Sequence, residues 1–151
     1  MNTTLVQITG GEPLLQKNVR ILMKKLLDKG YQVLIETSGV RDISVCDTRV
    51  NRIIDIKTPN SGAADSFLES NYSYLTNIDE VKFVITNRAD FDWAINIVQR
   101  QELLQKVHAV HFSPVMEQAG DQYIEGATRL DPLLLSEWIL ESKVPVRMHF
   151  Q

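Results

Sequence analysis

Residues 5–13 read Leu-Val-Gln-Ile-Thr-Gly-Gly-Glu-Pro, and this stretch decides the predicted fold. Its apolar first half predicts a short strand that ends at Ile8. Gly10 and Gly11 then leave the backbone bare, so that a ligand can approach it. Pro13 fits the first turn of a helix, where its missing N–H is not needed. A strand, a glycine turn and a helix in succession are typical of an α/β fold.

Short apolar runs like the first one recur along the chain. The runs predicted as strands are 5–8, 33–35, 53–56, 81–85, 107–112 and 146–150. None of them alternates cleanly between apolar and polar residues, which is typical of strands buried on both faces. The sequence therefore predicts a mainly parallel sheet with packed helices.

Helical periodicity fills the gaps between these runs. One predicted helix carries a stripe that should pack on the sheet, formed by Val19, Leu22, Met23, Leu26 and Leu27. Asp90 is expected to cap a second helix, and Asp131 followed by Pro132 predicts the start of a third. Two polar stretches, 58–71 and 116–128, are predicted as long loops, one of them with room for a short helix.

Polar residues follow several of the predicted strands. Right-handed crossovers place the carboxyl ends of parallel strands at one edge of the sheet, where α/β folds bind ligands. The segments expected to converge at this edge are 9–12, 36–39, 55–57 and 111–114. The sequence therefore predicts one binding site, assembled from several strand ends.

Each of these motifs also has a structural interpretation. Glu12 either accepts hydrogen bonds from a ligand ammonium group or favours the start of the following helix. Ser38 and Glu36 either contact a ligand or form a polar turn. Asp55 and Lys57 lie two residues apart and so share a face, where they form either part of a site or a structural ion pair.

Other polar residues are expected to be structural. Lys82 stands near the start of an apolar run and should extend to solvent. The histidines lack the spacing of metal ligands, and they are His108, His111 and His149. No metal ligand and no catalytic residue is predicted from the residues themselves.

Composition limits the classes of protein that fit. The chain has 151 residues with a net charge of -3 and no basic block, so nucleic acid is not an expected partner. It has no long apolar run and no signal peptide, so no membrane partner and a cytoplasmic location are expected. The single cysteine, Cys46, cannot form an internal disulfide or hold an iron–sulfur cluster alone. The length fits one domain but is small for a complete α/β barrel of about 200 residues or more.

Taken in order, the motifs resemble one enzyme family over nearly the whole chain. They lie in 8–16, 35–39, 55–62, 80–85, 113–114 and 145–147. The ordered set resembles the 7-carboxy-7-deazaguanine synthases, radical S-adenosylmethionine (radical SAM) lyases of queuosine biosynthesis. The resemblance implies a partial (β/α) radical SAM barrel that converts 6-carboxy-5,6,7,8-tetrahydropterin to 7-carboxy-7-deazaguanine. It also implies three cofactors: S-adenosylmethionine, a [4Fe-4S] cluster and Mg2+.

The resemblance also assigns roles to particular residues. It implies cofactor contacts for Gly10, Gly11, Glu12, Ser38, Lys57 and Ser113. It implies substrate contacts for Thr9 and Glu36. Gly11 and Glu12 would bind the methionine end of S-adenosylmethionine, and Thr9 and Glu36 would bind the pterin.

Two features of the family have no counterpart in this sequence. The family's CxxxCxxC cluster loop precedes the Gly-Gly-Glu-Pro strand, and a histidine–lysine segment follows the position of Gln151. Residues 1–151 are therefore expected to form a single radical SAM core-like domain without the first βα unit, a fragment or early-start form that is inactive by itself. An exposed sheet edge predicts a homodimer. The alternatives are a relative of glycyl-radical-enzyme activating enzymes and a cluster-free ligand-binding or interaction module.

Overall fold

A six-stranded parallel sheet forms the centre of the protein. The computed structural model describes residues 4–63, 66–116 and 129–150. The strands are β1 (Leu5–Ile8), β2 (Gln32–Thr37), β3 (Asn51–Asp55), β4 (Glu80–Ile85), β5 (Ala109–Pro114) and β6 (Arg147–Met148). They lie side by side in chain order, and each neighbouring pair is parallel. The predicted α/β class and parallel sheet are confirmed, with β6 shorter than the expected 146–150.

Helices connect the strands and cover one face of the sheet. They are α1 (Val19–Asp28), α2 (Arg88–Arg100), α3 (Leu103–Lys106) and α4 (Pro132–Ser142). Short 3-10 helices occupy Pro59–Ser61, within the stretch 58–71 predicted as a loop, and Glu69–Tyr74, which begins in that stretch. Most of the other predicted loop, 117–128, lies outside the described residues. No helix in the described part of the chain is both long and apolar enough to cross a membrane.

The predicted helix stripes and caps are only partly confirmed. In α1, Val19 and Met23 are buried, whereas Leu22 is 48% exposed because only a narrow stripe of this helix meets the sheet. The expected cap at Asp90 is wrong: the Asn87 side chain caps α2 by accepting from the Asp90 backbone N–H at 3.0 Å. Asp131 caps α4 as predicted, accepting from the N–H of Leu133 at 2.9 Å.

The two faces of the sheet differ. Alternate residues of the central strands pack under the helices, among them Ile54, Phe83 and Phe112, which are fully buried. The other face carries Glu36 and Glu80, which are partly exposed. The expectation of strands buried on both faces therefore holds for β5 but is wrong for β2 and β3, whose residues on this second face are partly exposed. We call this second face the open face. The helices of the described residues do not cover this face, so polar residues on it remain accessible.

A buried ion pair fixes the amino end of the sheet. The Arg52 guanidinium on β3 donates to both carboxylate oxygens of Asp79, from Nε at 2.8 Å and from Nη2 at 2.5 Å. It also donates to the backbone carbonyls of Ile43 and Tyr74. Asp79 accepts two further hydrogen bonds from Thr76, so the pair joins β3 to the segment that leads into β4.

Candidate functional site

Glu12 joins the loops that follow β1 and β2. Its Oε1 accepts from the backbone N–H of Leu14 at 3.0 Å and from the hydroxyl of Thr37 at 2.8 Å. Its Oε2 accepts from the Ser38 backbone N–H at 2.9 Å and from the Ser38 hydroxyl at 2.6 Å. Two of the predicted site residues, Glu12 and Ser38, are thus in direct contact.

These contacts determine the charge of Glu12. Burial raises the pKa of its carboxyl, but hydrogen bonds from Ser38, Thr37 and the backbone of Leu14 outweigh that effect, so the pKa is lowered overall. The carboxylate is therefore ionised at neutral pH. A carboxylate has about four acceptor positions, and all are in use, so a ligand ammonium group would have to replace one of these donors.

Gly10 and Gly11 need the conformation that glycine adopts most easily. Their φ values are +99° and +49°, and no heavy atom lies within 4 Å of the position that a Cβ would take at either residue. The backbone between β1 and Glu12 therefore borders open space. Thr9, which precedes it, is exposed. This arrangement leaves main-chain groups available to a ligand.

Charged residues of alternating sign cross the open face next to this loop. The Lys82 ammonium lies 2.5 Å from Oε1 of Glu36 and 3.8 Å from Oδ2 of Asp55. Lys57 donates to the same Asp55 oxygen at 2.8 Å. Gln7 donates to Oε2 of Glu36 at 3.2 Å. The predicted site residues Glu36 and Lys57 therefore belong to one network, in which Asp55 and Lys57 form an ion pair.

Lys82 lies in this network although the sequence did not predict it as a site residue. It is only 8% exposed, so the expectation that it extends to solvent is wrong. Its neighbour in the parallel register is Asp55, and its side chain lies over the open face between that residue and Glu36. The alternation of β4 places Lys82 on this face together with Glu80, but the carboxylates that hold it come from other strands.

Glu36 and Lys82 of this network line a cleft of about 210 Å³. Its walls are formed by Gln7, Glu36, Ile53, Glu80, Lys82, His111 and His149. His111 lies 3.0 Å from Glu80 and packs edge-on against the ring of His149. Burial lowers the pKa of His111, and the Glu80 carboxylate only partly opposes this, so the imidazole is neutral at neutral pH. Two histidines expected to be structural thus lie at a polar cleft.

Ser113 lies on β5, near the carboxyl edge of the sheet. It is fully buried, and its hydroxyl has no hydrogen-bond partner within residues 4–63, 66–116 and 129–150. A buried hydroxyl without a partner is uncommon in folded proteins and requires an explanation. A ligand at the strand ends would supply one.

The residues of this sequence do not fit a [4Fe-4S] cluster. Cys46 is the single cysteine, it is 8% exposed, and it packs with Val19 and Met23 beneath α1. Burial raises the pKa of its thiol to about 11, so the thiolate that binds iron is scarce at neutral pH. In the described part of the chain, no group of three or more histidine, cysteine, aspartate or glutamate side chains could hold a metal ion.

The fold matches that of a solved enzyme structure. The crystal structure of QueE from Escherichia coli superposes with a TM-score of 0.64 and 23% sequence identity, covering 98% of this chain and 56% of that one. The fold that this superposition matches is a six-stranded, all-parallel sheet with packed helices. The predicted fold class is confirmed.

Curated sequences identify the family more closely. The 7-carboxy-7-deazaguanine synthase of Koribacter versatilis is 42% identical over 149 residues, which cover 97% of this chain and 66% of that protein. The enzyme of the same name from Chlorobaculum tepidum is 37% identical, with 97% and 62% covered. This chain is a homologue of the 7-carboxy-7-deazaguanine synthases, as the motifs predicted. It spans slightly less than two thirds of the length of these relatives. No protein-family profile matches it.

Proposed function

We propose that this chain forms the cofactor- and substrate-binding part of a 7-carboxy-7-deazaguanine synthase. Such an enzyme converts 6-carboxy-5,6,7,8-tetrahydropterin to 7-carboxy-7-deazaguanine in the queuosine pathway. The observation that carries the proposal is 42% identity to a synthase over 97% of the chain. The polar edge of the sheet supports it, because the predicted site residues gather there.

The loop after β1 is the proposed site for S-adenosylmethionine. Gly10 and Gly11 offer backbone that borders open space, and Glu12 holds Ser38 in place beside them. These residues are proposed to bind the methionine end. Lys57 and the unpaired hydroxyl of Ser113 are proposed to make further contacts with the cofactor.

The cleft on the open face is the proposed site for the pterin. Glu36 lines this cleft, and its side chain is 26% exposed. A carboxylate accepts hydrogen bonds only, so it suits the N–H groups of an aminopyrimidinone ring. Thr9, exposed directly after β1, is proposed as the second substrate contact.

The family resemblance implies a [4Fe-4S] cluster, which would supply an electron for the cleavage of S-adenosylmethionine, and Mg2+, which would assist the ring contraction. The single buried thiol of this sequence does not suit that cluster, so no electron transfer is assigned to these residues. What they do is bind and orient the cofactor and the substrate.

Calorimetric titration of the purified chain with S-adenosylmethionine tests the cofactor site. We expect saturable binding that Glu12→Gln weakens by about 10- to 100-fold, because an amide cannot accept all the hydrogen bonds that the charged carboxylate accepts. Glu137→Gln, at an exposed position of α4, is the matched control and should leave the affinity unchanged. A folded wild-type chain that does not bind S-adenosylmethionine would contradict the proposal.

The cluster-free binding module is the second candidate. The observation that favours it is the unsuitability of Cys46 as a cluster ligand. The same contacts would then hold a nucleoside or a pterin without turnover. We further propose that the chain is a homodimer, since β1 is an edge strand and Leu5 on it is 48% exposed.

A further inference from the structure

Lys82 occupies the centre of the open face and not its margin. Its ammonium contacts carboxylates from two other strands, Glu36 on β2 and Asp55 on β3. It is also in register with His111 on β5. A lysine costs free energy to bury unless its charge is paired, so this position depends on the carboxylates.

A second buried cation in the same protein provides a comparison. Arg52 and Asp79 form a structural ion pair in which both carboxylate oxygens accept several hydrogen bonds from protein groups. The Asp79 carboxylate therefore has no acceptor position left for a ligand. This is the pattern expected of a pair that only stabilises the fold, since a buried charge needs all its hydrogen bonds.

Around Lys82, in contrast, several buried polar atoms lack hydrogen-bond partners in the described part of the chain. Oδ1 of Asp55 and Nδ1 of His111 are buried, and neither has a hydrogen-bond partner among the residues that the structure describes. These two residues flank Lys82 in the register of the sheet. Ser113, whose hydroxyl is also unpaired, lies two residues beyond His111 on the same face. The unpaired polar atoms thus cluster around one lysine beside the cleft.

We propose that Lys82 is a positioning residue of the substrate site. Its ammonium fixes the Glu36 carboxylate at the cleft, and Gln7 fixes the other oxygen. Each oxygen then accepts one hydrogen bond from these residues and keeps a second acceptor position for the N–H groups of the pterin ring. Lys82 acts through Glu36 and not by touching the ring. This inference rests on the proposed function.

A double-mutant cycle tests the inference. The wild-type chain and its Lys82→Met, Glu36→Gln and doubly substituted variants are titrated anaerobically with 6-carboxy-5,6,7,8-tetrahydropterin, with and without S-adenosylmethionine. We expect Lys82→Met to weaken pterin binding by about 10- to 100-fold. In the Glu36→Gln background the same substitution should change the affinity less than about threefold, because no carboxylate remains to be positioned.

Two further variants separate positioning from folding. Lys82→Arg keeps the positive charge and should recover most of the affinity lost in Lys82→Met. Lys25→Met, at an exposed position of α1, should bind as the wild type does. Thermal unfolding of every variant identifies those that do not fold. If Lys82→Met is unstable, the double variant, which removes both charges, can still be compared with Glu36→Gln.

The outcomes distinguish this inference from the function on which it rests. A folded wild-type chain that binds no pterin overturns both. If the wild type binds and Lys82→Met binds equally well, only the inference is overturned. Equal losses from Lys82→Met with and without Glu36 would also overturn it, because Lys82 would then act independently of that carboxylate.

Discussion

Gly39 shows how a single residue couples the loop after β2 to the packing beneath it. Its φ is +70°, and a Cβ at this position would lie 2.6 Å from the ring of Phe67 and 3.3 Å from Ile54. Phe67 in turn packs against Tyr72, with the ring centroids 4.7 Å apart. A side chain at Gly39 would therefore disturb the loop that carries Ser38 as well as the core.

We predict that Gly39→Ala lowers the free energy of unfolding by about 2–4 kcal/mol, through backbone strain and overpacking together. Gly62→Ala is the matched control, because Gly62 has a φ of +73° but no heavy atom within 4 Å of its Cβ position. It should cost only the strain, about 1 kcal/mol. Urea denaturation measures both. Equal losses of unfolding free energy in the two variants would mean that the contact with Phe67 does not destabilise Gly39→Ala.

Residue identities at the site were more predictable than their contacts. The sequence indicated Glu12, Ser38 and Glu36 because polar residues follow apolar runs there. It did not show that Glu12 would be satisfied by Ser38, nor that Lys82 would turn onto the open face. Such contacts depend on the register between strands far apart in sequence, which local patterns do not encode.

At the scale of elements, the Arg52–Asp79 pair holds β3 against the segment that precedes β4. Asp79 is fully buried and Arg52 is 8% exposed. Removing one partner leaves the other charged and buried, so we predict that Asp79→Ala lowers the free energy of unfolding by about 3–5 kcal/mol. Guanidinium denaturation would measure the loss.

The exposed pair of Lys24 and Asp28 on α1 is the control for that experiment. Both side chains are about half exposed or more, and solvent screens their attraction. Asp28→Ala should therefore leave the unfolding midpoint unchanged within error. If Asp79→Ala also left the unfolding midpoint unchanged, the buried pair would not be what joins these two elements.

The existence of the strands and of the three longer helices was predictable, because their apolar patterns are strong. The ends of these elements were less predictable. Asn87 and Asp90 both fit a helix cap by residue type, and the structure uses Asn87 because Asp90 instead accepts hydrogen bonds from Asn60 and Thr86. The four-residue helix α3 gave no periodic signal at all. Tertiary contacts decide such cases, and a local pattern does not contain them.

At the scale of the whole molecule, the sheet separates the packed core from the partly exposed polar residues. The helix-covered face and the amino edge hold the core and a fully satisfied ion pair. The open face and the carboxyl edge hold the partly exposed carboxylates and the unpaired buried atoms. The rule that ligands bind at the carboxyl edge led us to expect polar residues there, and the binding of a ligand to them stays a prediction. The open face itself was not predicted, since short apolar runs do not reveal which face the helices cover.

The last prediction concerns the cluster and this chain as a whole. Anaerobic reconstitution of the 151-residue chain with iron and sulfide should give no stoichiometric [4Fe-4S] centre. Its one thiol is buried beneath α1, and its pKa of about 11 keeps it protonated at neutral pH. Electron paramagnetic resonance after reduction, with iron analysis, measures the result, and Cys46→Ser should give the same background signal. A stoichiometric signal that Cys46→Ser abolishes would show that helix α1 opens to release the thiol, and the fold described here would then not be rigid around Cys46.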